Sequence, residues 1–400
     1  MSLPPVLVLD AEIRQALAAC RALRAAGFPV AASGRGSSAL AGDSRDVVRY
    51  HRLPLPEDGP VGGPFGVALE GVLRAHGYAA VVAVDDATLA RLDAEPPSVP
   101  TVPAGGGPFD RLTAKDRLGD VCAAAGVDYP TTLPVPSGGE RAAVEAVGLP
   151  CVVKAARSAA VAPSGIAYVA GAVVATTLEE VVTAANAVRT TGGEPVVQAR
   201  IRGVAKLNAV VIRRDGRAVL RYAHRVLREV PPGRGIGISL VTIPADRGPG
   251  AAAVDALDRI CATAGWSGVA HAEVYERADG GLTLIEVNPR LWGSTWFAER
   301  LGLRVTERCV RDVLGLEPLP DLPAYEVGRR FHHAPGLLTW ARAPRAERDP
   351  LRSLLGTVGP RDVFDIVSLR DPSPFLGLLR RRLAASRPAA RRARTRETRG

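Results

Sequence analysis

Four residues in one segment of the chain have the types and spacing to do chemistry together: Glu273, Glu286, Asn288 and Arg290, within VAHAEVYERADGGLTLIEVNPRLWGS. Apolar residues alternate on both sides of Asp279-Gly280, which predicts a β-hairpin with a two-residue turn. With Ala278 and Gly281 flanking that turn, Glu273 falls directly across from Glu286 and His271 across from Asn288. Opposed residues stand about 4.5–5.5 Å apart at Cβ, where like charges repel. A hard divalent cation such as Mg²⁺ removes the repulsion, because it takes carboxylate oxygens and completes its shell with substrate phosphates. The strand period places Glu286, Asn288 and Arg290 on one face and assigns Ile285 and Val287 to the other, buried one.

The cations of the chain sharpen this. There are 48 arginines and only three lysines, Lys115, Lys154 and Lys206. In such a composition a lysine marks a place that wants a compact point charge with rotatable donors, as phosphate oxygens do. Lys154 ends the apolar run Leu149-Pro150-Cys151-Val152-Val153, so an ammonium stands at the end of a buried strand, which is costly unless an anion meets it. Lys115 belongs to the first turns of a helix expected to begin near 110–113 and to end before Gly126, and Lys206 opens another strand. Asparagine is equally scarce, at positions 186, 208 and 288.

The elements that must hold these residues read as two or three domains, since 400 residues exceed one core. An apolar strand near 6–9, a helix to Ala26, a second strand from Pro29, a helix near 67–75 and a strand near 79–84 make a βαβ rhythm and a small parallel sheet. No GxGxxG follows the first strand, which excludes a dinucleotide fingerprint there. Pro96 to Pro108 reads as a linker; strand, loop and strand follow over 152–174, then a helix from Thr177 with Glu180 completing a capping box. A second hairpin turns at Arg214-Asp215-Gly216, a helix occupies 249–265, and Ser294 is placed to cap a helix running to Leu301.

Five widely spaced cysteines without a CxxC pair argue for a reducing compartment and against a disulfide frame or structural zinc. No signal peptide or membrane span is read, so a cytoplasmic protein is expected. The formal net charge is +10, of which residues 380–400, with nine arginines and one glutamate, supply +8. That tail is expected to be disordered and to meet nucleic acid only nonspecifically.

The order of these features resembles the ATP-grasp superfamily over residues 109–311. The run LIEVNPR is most similar to the biotin carboxylase and carbamoyl-phosphate-synthase-like branch and to the related amide-forming ligases. The resemblance implies a mixed α/β and α+β architecture: a pre-ATP-grasp domain and linker over 1–108, an ATP-grasp domain over 109–311 with a lid near 130–200, a C-terminal segment over 312–379 and the tail. It further implies ATP and Mg²⁺ or Mn²⁺ as cofactors, with two ions expected. Glu273, Glu286 and Asn288 are implied as metal ligands, and Lys115 and Lys154 as phosphate contacts. Gln198, Ala199, Arg200 and Ile201 would form the hinge strand at the adenine. Arg290 would hold the acceptor carboxylate, and Arg225 would reach the γ-phosphate from the strand around 218–232. The chain departs from the pattern where Ala199 and Ala205 stand in place of a ribose-binding glutamate, and where residues 155–164 have alanine in place of glycine.

The reaction so implied joins a small-molecule carboxylate to an amine through an acylphosphate, releasing ADP and phosphate. Homodimerisation is left open. The alternatives are bicarbonate as the activated acid, a nucleotide-binding module without turnover, and a nucleic-acid-binding protein acting through its tail.

Overall fold

The computed structural model describes residues 3–162, 165–168, 171–231, 235–321, 325–342 and 358–385. Residues 386–400, most of the basic tail, and residues 163–164 of the expected phosphate-covering loop lie outside the described residues.

Short runs of Val, Leu and Ala make a parallel five-stranded sheet, in the order Arg49–Arg52, Val30–Gly34, Val6–Val8, Ala80–Val82, Thr101–Val102. Its central strands are buried on both faces, as parallel sheets require. The helix Arg14–Ala25 covers one face, and Pro64–His76 with Asp86–Ala94 covers the other. The expected linker differs: Thr101–Val102 pairs with Ala80–Val82 and closes this sheet.

A four-stranded antiparallel sheet follows, Val173–Ala175, Cys151–Ala155, Pro195–Ala199, Thr132–Pro134 in spatial order, backed by helices Glu140–Val147 and Leu178–Thr190. Thr177 and Glu180 close the capping box reciprocally. The hairpin Ala159–Ala162 and Gly165–Tyr168 stands apart as a two-stranded sheet.

The largest sheet has seven strands in the order Leu282–Asn288, Gly268–Glu276, Ala205–Arg214, Arg217–Val230, Ile236–Ile243, Arg330–His332, Val363–Phe364. All but the last pair are antiparallel. Helix Gly248–Ala264 packs against one face, and the C-terminal helix Ser373–Ala385 lies against the N-terminal part through Arg381 and Asp43, 2.6 Å apart. The basic stretch therefore starts inside a helix, not as a disordered end at Arg380. The helix expected around Lys115 is two helices, Gly107–Thr113 and Lys115–Ala124, broken at Ala114. No helix among the described residues is long and apolar enough to cross a membrane, and the five cysteines are buried and unpaired.

Candidate active site

The acidic hairpin pairs Glu273 with Glu286 and His271 with Asn288, but it reaches that register by two departures that cancel. Arg277 and Gly281 close the turn, with hydrogen bonds of 2.8 Å from Arg277 N to Gly281 O and 3.0 Å from Gly280 N to Arg277 O. The loop is therefore three residues, Ala278-Asp279-Gly280, with Gly280 at φ 80° in the left-handed region that glycine tolerates. Beyond it Val274 pairs with Leu284 while Glu273 pairs with Glu286, so Ile285 is the extra residue of a β-bulge. The bulge also turns Ile285 to the same side as Glu286, into a cavity; it is not on the buried face where alternation alone would put it.

That cavity, about 1290 Å³, lies between the four-stranded and seven-stranded sheets. All three lysines of the chain and two of its three asparagines, Asn208 and Asn288, line it. Lys154 comes from strand Cys151–Ala155, and Lys115 opens its helix, whose backbone N–H bonds Ala156 O at 3.0 Å beside that strand. Neither ammonium has a carboxylate within 4 Å among the described residues, although both residues are more than nine-tenths buried. Lys206 is different: its Nζ lies 2.5 Å from Glu273 and 3.0 Å from Glu229. Part of the compensation expected of a metal thus comes from a lysine on the neighbouring strand, where Asn208 stands beside Glu273.

The charges follow from these distances. Burial works against ionisation of Glu286, but Lys115, the Asn288 amide and Lys154 hold its carboxyl down at about 2. Glu273 goes the other way, raised by burial and by the Glu286 charge against the pull of Lys206. Burial, aided by Lys115, lowers Lys154 to about 8. His271 is lowered to about 3 by burial and stacks flat on Trp292, ring centroids 5.6 Å apart. Asn288 donates from Nδ2 to Glu286 Oε1 at 2.9 Å, which leaves its amide oxygen for another partner. The donors facing the cavity are thus two carboxylates and an amide oxygen, a set that fits a hard cation. Among the described residues no group of three His, Cys, Asp or Glu side chains could hold a metal alone, so such an ion needs oxygens from its substrate.

Gln198, Ala199, Arg200 and Ile201 also line the cavity, where the strand Pro195–Ala199 leaves the small sheet toward the large one. Gln198 is fixed by Nε2 donating to Thr132 Oγ1 at 2.7 Å. Arg290 lines it too, but its guanidinium is engaged, Nε and Nη2 lying 2.6 and 3.1 Å from the two oxygens of Asp86 on helix Asp86–Ala94. Arg225 is not brought to the site. Register pairs it with Leu207, whose other neighbour is the core residue Val274, so it stands on the opposite sheet face and bonds Glu276 at 3.1 Å. Ser294 does not cap the helix Thr295–Arg300; its Oγ accepts from Trp292 Nε1 at 2.8 Å. Lys206, Asn208 and His271 were not singled out as site residues by their local context. The scarcity of Lys and Asn is the signal that could have found the first two.

Comparison with solved structures places this arrangement. The chain superimposes on an L-amino acid ligase from Bacillus licheniformis with TM-score 0.58 at 15% identity, covering 80% of this chain and 76% of that one. It matches N5-carboxyaminoimidazole ribonucleotide synthetase from Thermus thermophilus with TM-score 0.59 at 19% identity, covering 80% of each. Biotin carboxylase from Campylobacter jejuni gives 0.60 at 12%, covering 82% and 75%. The fold is that of the ATP-grasp superfamily. No protein-family model and no curated protein matches the sequence, so the likeness is one of backbone architecture.

Proposed function

We propose that the protein is an ATP-dependent ligase that activates a carboxylate as an acylphosphate and passes it to an amine. The observation carrying this reading is the register that sets Glu273, Glu286 and Asn288 against two buried lysines without carboxylate partners across one cavity. Seven cationic side chains and two carboxylates line that cavity, so its occupant is anionic.

Lys115 and Lys154 hold phosphate oxygens and position the γ-phosphate, and the hinge residues Gln198 to Ile201 meet the base. Mg²⁺ held by Glu273, Glu286 and Asn288 would neutralise phosphate charge as it shifts toward the leaving group. A carboxylate oxygen of the substrate attacks the γ-phosphorus, the bond to the β-phosphate oxygen breaks, and ADP leaves. The amine nitrogen then attacks the acyl carbon, the bond to phosphate breaks, and one nitrogen proton is released. Phosphoryl transfer asks mainly for positioning and electrostatic stabilisation, which preset lysines and carboxylates supply. Arg290 acts here as a positioning residue. Its bidentate pair with Asp86 ties the N-terminal part to the end of the metal-binding strand.

The test is incubation with MgATP, hydroxylamine and pools of carboxylates, reading hydroxamate and ADP. Hydroxamate with stoichiometric ADP is expected; AMP and pyrophosphate would overturn the acylphosphate route. The biotin carboxylase likeness favours one second reading, bicarbonate as the activated acid. ADP release that depends on bicarbonate, without hydroxamate from any pool, would establish it instead.

A further inference from the structure

With Arg290 engaged by Asp86, the far end of the cavity has another cation. Arg14 and Gln15, the first two residues of helix Arg14–Ala25, line it beside Trp292, Gly293 and Ser294. The strand that leaves residues 198–201 pairs Ala205 with Glu276 and Val210 with His271, and His271 lies across from Asn288, so the run from Glu286 through Asn288 and Arg290 to these residues leads away from the hinge. Arg14 is aimed by two features. Its Nη1 meets Asp365 Oδ2 at 3.2 Å, and Asp365 is itself locked by His333 and the Ile366 N–H at 2.9 Å. Its Nη2 lies over Gly293, where a Cβ would come within 2.5 Å of it. The side chain therefore lies across a glycine into the cavity, with one nitrogen held and the others not used on Asp365.

The first turn of the same twelve-residue helix adds to this. It has no side-chain cap and no acidic residue, so its free N–H groups and the positive end of the helix dipole stand where Arg14 and Gln15 face the cavity. An independent sign of a ligand is His271. It is 5% exposed, lines the same cavity against Trp292, and its Nδ1 has no hydrogen-bond partner. A buried ring nitrogen without a partner marks a place where a ligand donates or accepts.

We propose that Arg14, Gln15 and the first turn of their helix bind an anionic group, carboxylate or phosphate, of the substrate that enters beside the nucleotide. This deepens the ligase reading and rests on it for the identity of the neighbouring nucleotide. The substrate class is then a small molecule with an anionic group in addition to the one that reacts. Asp365 is a positioning residue for Arg14.

Calorimetric titration of the full chain, saturated with MgADP, with inorganic phosphate and separately with succinate, tests this. Binding of at least one probe is expected, the tighter one showing which anion the site prefers. Arg14→Gln should weaken that binding at least tenfold while leaving MgADP affinity within twofold. Gln15→Glu, which leaves the Arg14–Asp365 pair intact, should weaken it similarly and guards against misfolding of the first variant. Absence of binding by both probes, or equal binding in the folded variants, overturns the proposal. If MgADP itself fails to bind, the ligase reading falls, while the dependence on Arg14, measured without nucleotide, still decides the anion site.

Discussion

The two faces of the seven-stranded sheet are built from the same strands and do opposite things. Beneath helix Gly248–Ala264 the sheet presents Ala209, Val211, Ala223, Ala272, Val274, Leu284 and Val287, all nearly inaccessible and all small or aliphatic. One residue along each strand, the other face presents Lys206, Asn208, His224, His271, Glu273 and Glu286. Several of these have buried atoms lacking a partner among the described residues, including Asn208 Oδ1, His224 Nδ1 and His271 Nδ1. Burying such groups costs free energy, and the apolar face offsets that cost through the area it removes from water. Further along, the polar face becomes apolar, with Val210, Ile212 and Tyr222 packed against Trp292 and Phe297. Most of the charged and polar groups of this face thus stand in the stretch that lines the cavity beside the small sheet, with the buried hydroxyl of Tyr222 beyond it. Placing them there has a reason only if something charged fills the space.

The largest effect expected from breaking this contrast is on the polar face. Glu286→Gln should lower turnover by about 10²–10³-fold, the usual loss when one electrostatic contact to a reacting group is removed. The same variant should melt below the parent at neutral pH, because the ionised carboxyl, held down at about 2 by Lys115, the Asn288 amide and Lys154, stabilises the fold, and its loss leaves two buried ammoniums without their anion. Full activity in that variant would falsify the metal assignment. On the apolar face the pattern reverses. Leu257, 1% exposed on the covering helix, should lose about 2–5 kcal/mol of stability as Leu257→Ala in a denaturant titration. Turnover per folded molecule should be retained, since the side chain belongs to the apolar cluster on the other face of the sheet.

Much of this contrast was legible in the residues themselves, through period 2 along each strand and the scarcity of Lys and Asn. Alternation predicts the opposition of Glu273 and Glu286, but the turn is one residue longer than the two-residue turn it implies, and Ile285 forms a bulge that it does not reveal. A wider turn and a bulge are invisible to alternation because each shifts the register by one and together they restore it. Lys206 could not be joined to Glu273 without knowing that Ala205–Arg214 is the next strand over, a pairing of distant segments. The same holds for Arg290 with Asp86, 204 positions apart, and Arg14 with Asp365, 351 apart. Strands of two or three residues, such as Thr101–Val102, Arg330–His332 and Val363–Phe364, are too short to show any period. Arg225 shows the remaining weakness: alternation said which residues share its face, and only the packed helix says which face is the site.

Two smaller effects sharpen the comparison. Lys154, lowered to about 8 by burial and Lys115, is mostly charged in the free protein only below that pH. An anion in the cavity favours the charged form, so nucleotide binding should take up a proton near pH 8. Affinity should fall as pH rises through 8, by at most about tenfold per unit for a single proton. Calorimetry from pH 7 to 9 in buffers of different ionisation enthalpy reads both quantities, and affinity that is flat or rises with pH would remove Lys154 from the phosphate site.

The smallest effect belongs to Arg225, whose part-exposed pair with Glu276 lies on the helix side of the sheet. Exposed pairs of this kind contribute about 0–1 kcal/mol. Arg225→Ala should therefore change the melting temperature little and leave turnover and the MgATP dependence as in the parent. Arg225 sits beside Leu207, one residue from the Asn208 strand position that faces the cavity. A tenfold loss of turnover on removing its side chain would mean that the strand end twists far enough to bring the opposite face to the phosphates, and the division of labour between the faces would then fail at that edge.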